Sequence, residues 1–261
     1  MTKHKTLTNL HRNSRFYILA SSLALSLLVA ASLRLHIVSD QLYYIRLQQL
    51  FGYLCIIYWY SALIISPLGR VYKNKAVMGL LQFSRRGLGV SAAYFALLHV
   101  CVALWGQLGG IAGALLLPDW FLWSFAFGSI GLITLSLMAV TSFDKVIAFM
   151  TFPRWKWLHR LGYIGGIFVL IHIWMIGSHM SYVGFRSVIF VMLAFLLFLE
   201  SLRISSLLAK KYKPFQQDRL EFGIAMWLVA ITILFVTPSL IGNYQDRHNA
   251  QQPTHSQGTK S

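Results

Sequence analysis

A chain of 261 residues that is 57% hydrophobic and 11% charged, with a mean hydropathy of +0.61, lies outside the composition of ordinary soluble domains. Its net charge of +16 comes from 23 Lys and Arg against 7 Asp and Glu. No nucleic-acid-binding motif accompanies that excess, and the bases gather in tails and connections, so nucleic acid is excluded as a partner and an all-α polytopic membrane protein surrounded by lipid is predicted.

Taking about 20 apolar residues as the length that crosses a bilayer, seven spans are predicted in chain order: 16–36, 46–66, 87–108, 120–141, 157–177, 183–203 and 222–242. The first follows a basic tail but is long for a signal-peptide core and lacks a clear cleavage site, so it reads as an uncleaved span. The N-terminal tail and the connections after the second, fourth and sixth spans, with Arg160 and Arg203 at the adjoining span ends, hold 18 of the 23 Lys and Arg. That alternation places the N-terminus in the cytoplasm.

The chain divides into a basic tail, 1–15, a first span with its outer loop, 16–45, a core, 46–203, a basic linker with a final span, 204–242, and an outer polar tail, 243–261, whose composition predicts disorder. The longest connections are about 20 residues, too short for a nucleotide-binding fold, and no GxGxxG follows a strand. Cys55 and Cys101 both fall in apolar runs and read as small buried hydrophobes. Without CxxCH, any haem would be of the b type, held without thioether bonds.

Of nine histidines, His4, His11, His248 and His255 lie in polar tails, and His36 and His179 sit near outer ends of spans. His99, His159 and His172 fall inside spans, where ionisable groups are costly and point to function. The third and fifth spans run parallel, so depth can be counted from their inner ends. His99 lies thirteen residues beyond Arg86, and His172 thirteen beyond His159. The two are expected at one level in the outer half of the bundle, facing each other as neutral nitrogen donors for a six-coordinate haem iron. Tyr94, Phe95, Trp105, Phe168 and Trp174 are candidate aromatic walls.

His159 lies about 20 Å deeper along its helix, toward the inner face. At the matching depth of the third span stand Arg85 and Arg86. Helical phase favours Arg85, about 40° from His99 around the axis, over Arg86 at about 140°. Arg85 suits a haem propionate, a flavin phosphate or a quinone oxygen. On one ideal helix His159 and His172 are also about 140° apart. Facing one cofactor stack therefore requires distortion, which Gly162, Gly165 and Gly166 permit.

The segments IISPLGR (64–70), SRRGLGVSAAYFALLHV (84–100), AVTS (139–142) and RWKWLHRLGYIGGIFVLIHIW (154–174) together resemble the ferric reductase-like transmembrane domain family over residues 46–203, most nearly its bacterial MsrQ (YedZ) branch. The resemblance implies a six-helix haem-binding core within about seven spans, in a bacterial inner membrane. His99 and His172 match the ligand pair of the outer haem, and His159 matches the inner position. Where this chain has Arg85, NADPH oxidases and eukaryotic ferric reductases have a further histidine. The resemblance thus implies one or two haem b groups, with FMN or a quinone as other occupants of the inner site.

No flavin–nicotinamide module lies within these residues, so the expected donor is quinol or a separate flavin reductase, and the expected acceptor a periplasmic molybdoenzyme like MsrP. The chain reads as the electron-transfer subunit of an oxidoreductase system and breaks no substrate bonds itself. The final span, 222–242, departs from the MsrQ pattern. Two other readings are a ferric-chelate reductase for iron uptake and a haem-free proton-coupled transporter. Against the latter, the core from 87 to 143 holds a single charged residue, Asp119, and no inverted repeat with broken helices is evident. Glu200 is the one carboxylate in the sixth span.

Overall fold

In the computed structural model, residues 2–71, 75–176, 183–211 and 220–232 are described. Among them the secondary structure is helical throughout, without strands. The helices are α1 (Thr2–His36), α2 (Asp40–Val71), α3 (Lys75–Gly106), α4 (Gly110–Leu115), α5 (Asp119–Val140), α6 (Asp144–Met150), α7 (Phe152–Leu158), α8 (Leu161–Ile176) and α9 (Val183–Lys211), followed by α10 (Leu220–Thr232). Six segments are long and apolar enough to cross a membrane: those in α1, α2, α3 and α5, the joined α7–α8, and α9. An apolar segment in lipid must satisfy its backbone internally, which is why each run becomes a helix. The chain is a multi-pass membrane protein. Of the predicted seventh span, residues 222–232 lie in α10, a shorter apolar helix that is not among the six; residues 233–242, like the tail 243–261 and His179, lie outside the described residues.

The breaks have local causes. Gly109 and Gly110, with φ of 67° and 89°, turn the chain between α3 and α4. Pro118 precedes α5, and Asp119 in its first turn complements the helix dipole. Thr151, between α6 and α7, takes φ 67° and ψ 148°, a conformation costly for a β-branched residue. The fifth predicted span is not one helix: α7 ends at Leu158, and His159 and Arg160 form a turn before α8.

By backbone proximity the chain divides into residues 1–187 and 188–261. In the first unit α3 is central, packed on α1, α2 and α5, while α8 packs on α5. Phe51, Cys55 and Trp59 of α2, Ala92, Ala93, Phe95 and Ala96 of α3, and Leu135 of α5 form its core. The alanines bring the helices close, the usual route to packing where lipid removes the hydrophobic drive between helices. A polar seam joins α1 to α3: Ser22 Oγ and Ser91 Oγ are hydrogen-bonded at 2.8 Å, and Ser26 Oγ lies 2.8 Å from the Tyr94 hydroxyl. Cys55 is buried, as predicted, but Cys101 is exposed. The outward side of a membrane bundle is itself apolar, so an apolar run does not tell a core position from a lipid-facing one.

In the second unit α10 lies along α9. Trp227 Nε1 donates to the Ala194 carbonyl at 2.9 Å, and its ring meets Phe198 at 5.6 Å. Glu200 is buried and pairs with Arg203 one turn on, at 2.7 Å.

Candidate functional site

His99 of α3 and His172 of α8 come together: their ring centres are 6.3 Å apart and their planes nearly perpendicular, at 89°. The two helices are each packed on other helices rather than along one another. The imidazoles reach toward each other from separate walls.

Each ring is oriented by the same device. His99 Nδ1 lies 2.9 Å from the Gln48 carbonyl of α2, and His172 Nδ1 lies 2.8 Å from the Ser124 carbonyl of α5. A carbonyl only accepts, so both Nδ1 atoms carry a proton, and in the neutral ring each Nε2 then keeps a free lone pair. Four residues beyond each carbonyl is a glycine against the ring. A Cβ at Gly52 would stand 3.1 Å from His99 Nδ1, and one at Gly128 only 2.8 Å from His172 Nδ1. His172 has an additional partner in the Ser124 hydroxyl, which donates to the His172 carbonyl at 3.2 Å with its oxygen 3.1 Å from Nδ1. Gln48 is itself tied to Gln107, whose side-chain amide donates to the Gln48 side-chain oxygen and, at 3.2 Å, to the Tyr44 carbonyl.

Aromatic rings lie one turn from each histidine. Phe95 packs with Phe51 and Tyr58 at 6.1 and 5.2 Å, and Phe168 stacks on Phe127 at 5.9 Å. Trp105, a candidate wall, is 70% exposed and faces away from this core.

The second group of predicted residues gathers around a cavity of about 60 Å³ lined by Arg85, Arg86 and His159, with Trp59, Met138 and Trp155 among its walls. His159 packs on Trp155 at 4.1 Å, and its Nε2 lies 3.4 Å from Thr141 Oγ1. Trp155 in turn donates to the Thr141 carbonyl at 3.0 Å. Arg85 Nε donates to the Ala62 carbonyl of α2 at 3.1 Å. Arg86 pairs with Asp144 at 2.6 Å, and its guanidinium lies 5.7 Å from the Trp155 ring centre. Trp59 is buried, and its indole N–H has no hydrogen-bond partner among the described residues.

Helical phase favours Arg85 alone at this site; the structure puts both arginines at the cavity, with Arg86 also paired to Asp144 of α6. The turn at His159 and Arg160 likewise removes the phase conflict between His159 and His172, since no single helix carries both. Gly162 and Gly165 are buried contact points for Met138 and Thr134 of α5, whereas Gly166 faces open space. Sequence reasoning missed the carbonyls of Gln48 and Ser124 and the glycines that seat the rings. Gly52, a lone small residue in an aromatic-rich run, was the clearest available signal. His36, with Nδ1 2.8 Å from the Ser32 carbonyl, is exposed and takes no part.

The fold and the site define a helical multi-pass membrane protein with two opposed histidines held between its helices. In comparisons with known proteins, the family model described as ferric reductase like transmembrane component matches residues 51–170, from three residues after Gln48 to two residues before His172. Over that stretch the chain is similar to such components. No curated protein and no solved structure matches it.

Proposed function

We propose that this chain carries electrons across the bilayer with b-type haem held between His99 and His172. The observation that carries the reading is the matched pair: two imidazoles, each with Nδ1–H donated to a backbone carbonyl, 6.3 Å apart between centres. Two rings directed end-on at one metal about 2 Å from each nitrogen would have centres roughly 6 Å apart. Among the described residues no group of three or more His, Cys, Asp or Glu gathers anywhere. A bare ion would lack ligands here, whereas a haem iron brings four of its own and asks the protein for two. When bound, the group supplies a one-electron redox centre.

The chain's residues do the rest. Gln48 and Ser124 hold the tautomer and raise the basicity of each ring. Gly52 and Gly128 leave room for the rings beside the neighbouring helices, and the Phe51–Phe95–Tyr58 and Phe127–Phe168 clusters keep water out. At the other end, His159, Arg85 and Arg86 surround the place where electrons would be taken up. The donors there outnumber the acceptors, and the unmet Trp59 N–H adds one more, which suits an oxygen-rich occupant: a quinone, a flavin phosphate, or the propionates of a second haem with His159 as a ligand. With the basic side cytoplasmic, as the charge distribution supports, electrons pass from a quinol or flavin-reductase donor to a periplasmic acceptor. The quoted segments favour an MsrQ-like subunit serving a molybdoenzyme like MsrP, in a bacterial inner membrane.

The test is the haem-to-protein ratio and spectrum of the wild type beside His99→Ala, His172→Ala and His159→Ala. Loss of the low-spin spectrum in the first two supports the reading; a full low-spin spectrum in His172→Ala overturns it. Reduction of ferric citrate by the protein alone in liposomes would move the acceptor to an external iron chelate. A purified protein without a Soret band would leave the proton-coupled transporter reading in its place.

A further inference from the structure

The segment from 143 to 160 contributes Trp155 and His159 to the inner cavity, and the remainder of it has a different character. Phe149, Phe152 and Trp157 are 87, 59 and 64% exposed. Interleaved with them, Lys145, Arg154, Lys156 and Arg160 are exposed as well. Among the described residues no carboxylate pairs with any of these four cations. The segment's one acid, Asp144, is already engaged by Arg86 at 2.6 Å and Arg15 at 4.0 Å.

No single solvent suits that surface. Water would leave three large rings exposed, and hydrocarbon would strand four charges. Both kinds of side chain are satisfied at the headgroup level, where the rings enter the acyl boundary and the flexible cationic stems reach the phosphates. Uncompensated positive charge further selects headgroups of net negative charge. An acidic protein surface would meet the cations but not the rings.

We propose that residues 144–160 form an interfacial binding surface for acidic phospholipid, with headgroup phosphates taken by Lys145, Arg154, Lys156 and Arg160 and acyl chains covered by Phe149, Phe152 and Trp157. Because Trp155 and His159 belong to the same segment, a lipid bound there braces one wall of the inner cavity. The site does not depend on haem at His99 and His172.

The test uses the full chain in a non-ionic detergent, titrated separately with phosphatidylglycerol, phosphatidylcholine of the same acyl chains, inorganic phosphate and polyglutamate. Phosphatidylglycerol is expected to raise the thermal midpoint and to remain bound in native mass spectra. The variant with Lys145→Gln, Arg154→Gln, Lys156→Gln and Arg160→Gln should need at least about tenfold more of that lipid for the same rise. A control with Arg34→Gln and Arg46→Gln should respond as the wild type does. If the fourfold variant does not fold, Lys145→Gln with Lys156→Gln poses the same question with a smaller shift. Unchanged phosphatidylglycerol affinity in the variants overturns the proposal. So does an equal response of the wild type to phosphatidylcholine, to inorganic phosphate, which would mean a free-anion site, or to polyglutamate, which would mean an acidic protein partner.

Discussion

His172 of α8 rests its ring against Gly128 of α5, so closely that an added methyl would lie 2.8 Å from Nδ1. Gly128→Ala must therefore push the imidazole off its Ser124 carbonyl or force the helices apart. Overpacking of this kind costs about 1–3 kcal/mol, or roughly 5- to 150-fold in haem retention. Gly166→Ala, where nothing lies within 4 Å of the added atom, is the matched control. Haem content and low-spin absorbance should fall in the first variant and hold in the second; equal retention in both would remove Gly128 from the site.

If His172 acts through a free Nε2, its ring is replaceable by a diffusible one. His172→Gly should lose the low-spin spectrum and regain it when imidazole is added, since the backbone carbonyl of Ser124 is still there to orient the guest. Titration followed by optical spectroscopy checks this. Imidazole that leaves the spectrum unchanged would show that His172 positions something other than the iron.

The seam between α1 and α3 offers a stability test outside the haem site. Ser91→Ala removes the hydrogen bond between the two hydroxyls, while Ser22 still donates to the Ile18 carbonyl at 2.7 Å. Interhelical bonds in membranes are worth about 0.6 kcal/mol on average, and the retained bond keeps the expected loss near that value. Unfolding in mixed micelles measures it. A loss several times larger would mean that the seam carries more than one bond.

Asp144 is 81% exposed and holds Arg86 at 2.6 Å. Exposed pairs contribute about 0–1 kcal/mol and are screened by salt. Asp144→Asn should thus lower the thermal midpoint slightly at low ionic strength and not at all in about 1 M salt. A deficit that persists at high salt would indicate a packing role instead.

Thr151 occupies φ 67° and ψ 148°, a region open essentially only to glycine, at a cost of about 1–3 kcal/mol. Thr151→Gly relieves that strain against an entropic loss of about 0.5–1 kcal/mol, so a net gain of roughly 1 kcal/mol is expected. Thr151→Ala, which keeps a Cβ, should not show it. Thermal midpoints of the two variants decide the matter, and a lower midpoint for Thr151→Gly would count against the strain.

Much of this protein was legible in advance because the bilayer leaves few choices. A run of about 20 apolar residues has to be a helix to satisfy its own backbone in lipid, so the sequence alone determined the spans in α1, α2, α3, α5 and α9. Depth along a helix is also countable, at a constant rise per residue. That is why His99 and His172 could be set at one level, and Arg85 and His159 at another, before any packing was known. Direction around the bundle is different, because it depends on which neighbours each helix finds. Only the tertiary structure chose the carbonyls of Gln48 and Ser124 as proton acceptors and set Gly52 and Gly128 against the rings. It also turned Cys101 outward and set Arg86 at the cavity while pairing it with Asp144. For the carbonyls, the glycines and Arg86 the deciding contact joins residues from separate helices, and such pairings follow from how whole surfaces fit together rather than from the periodicity of one segment.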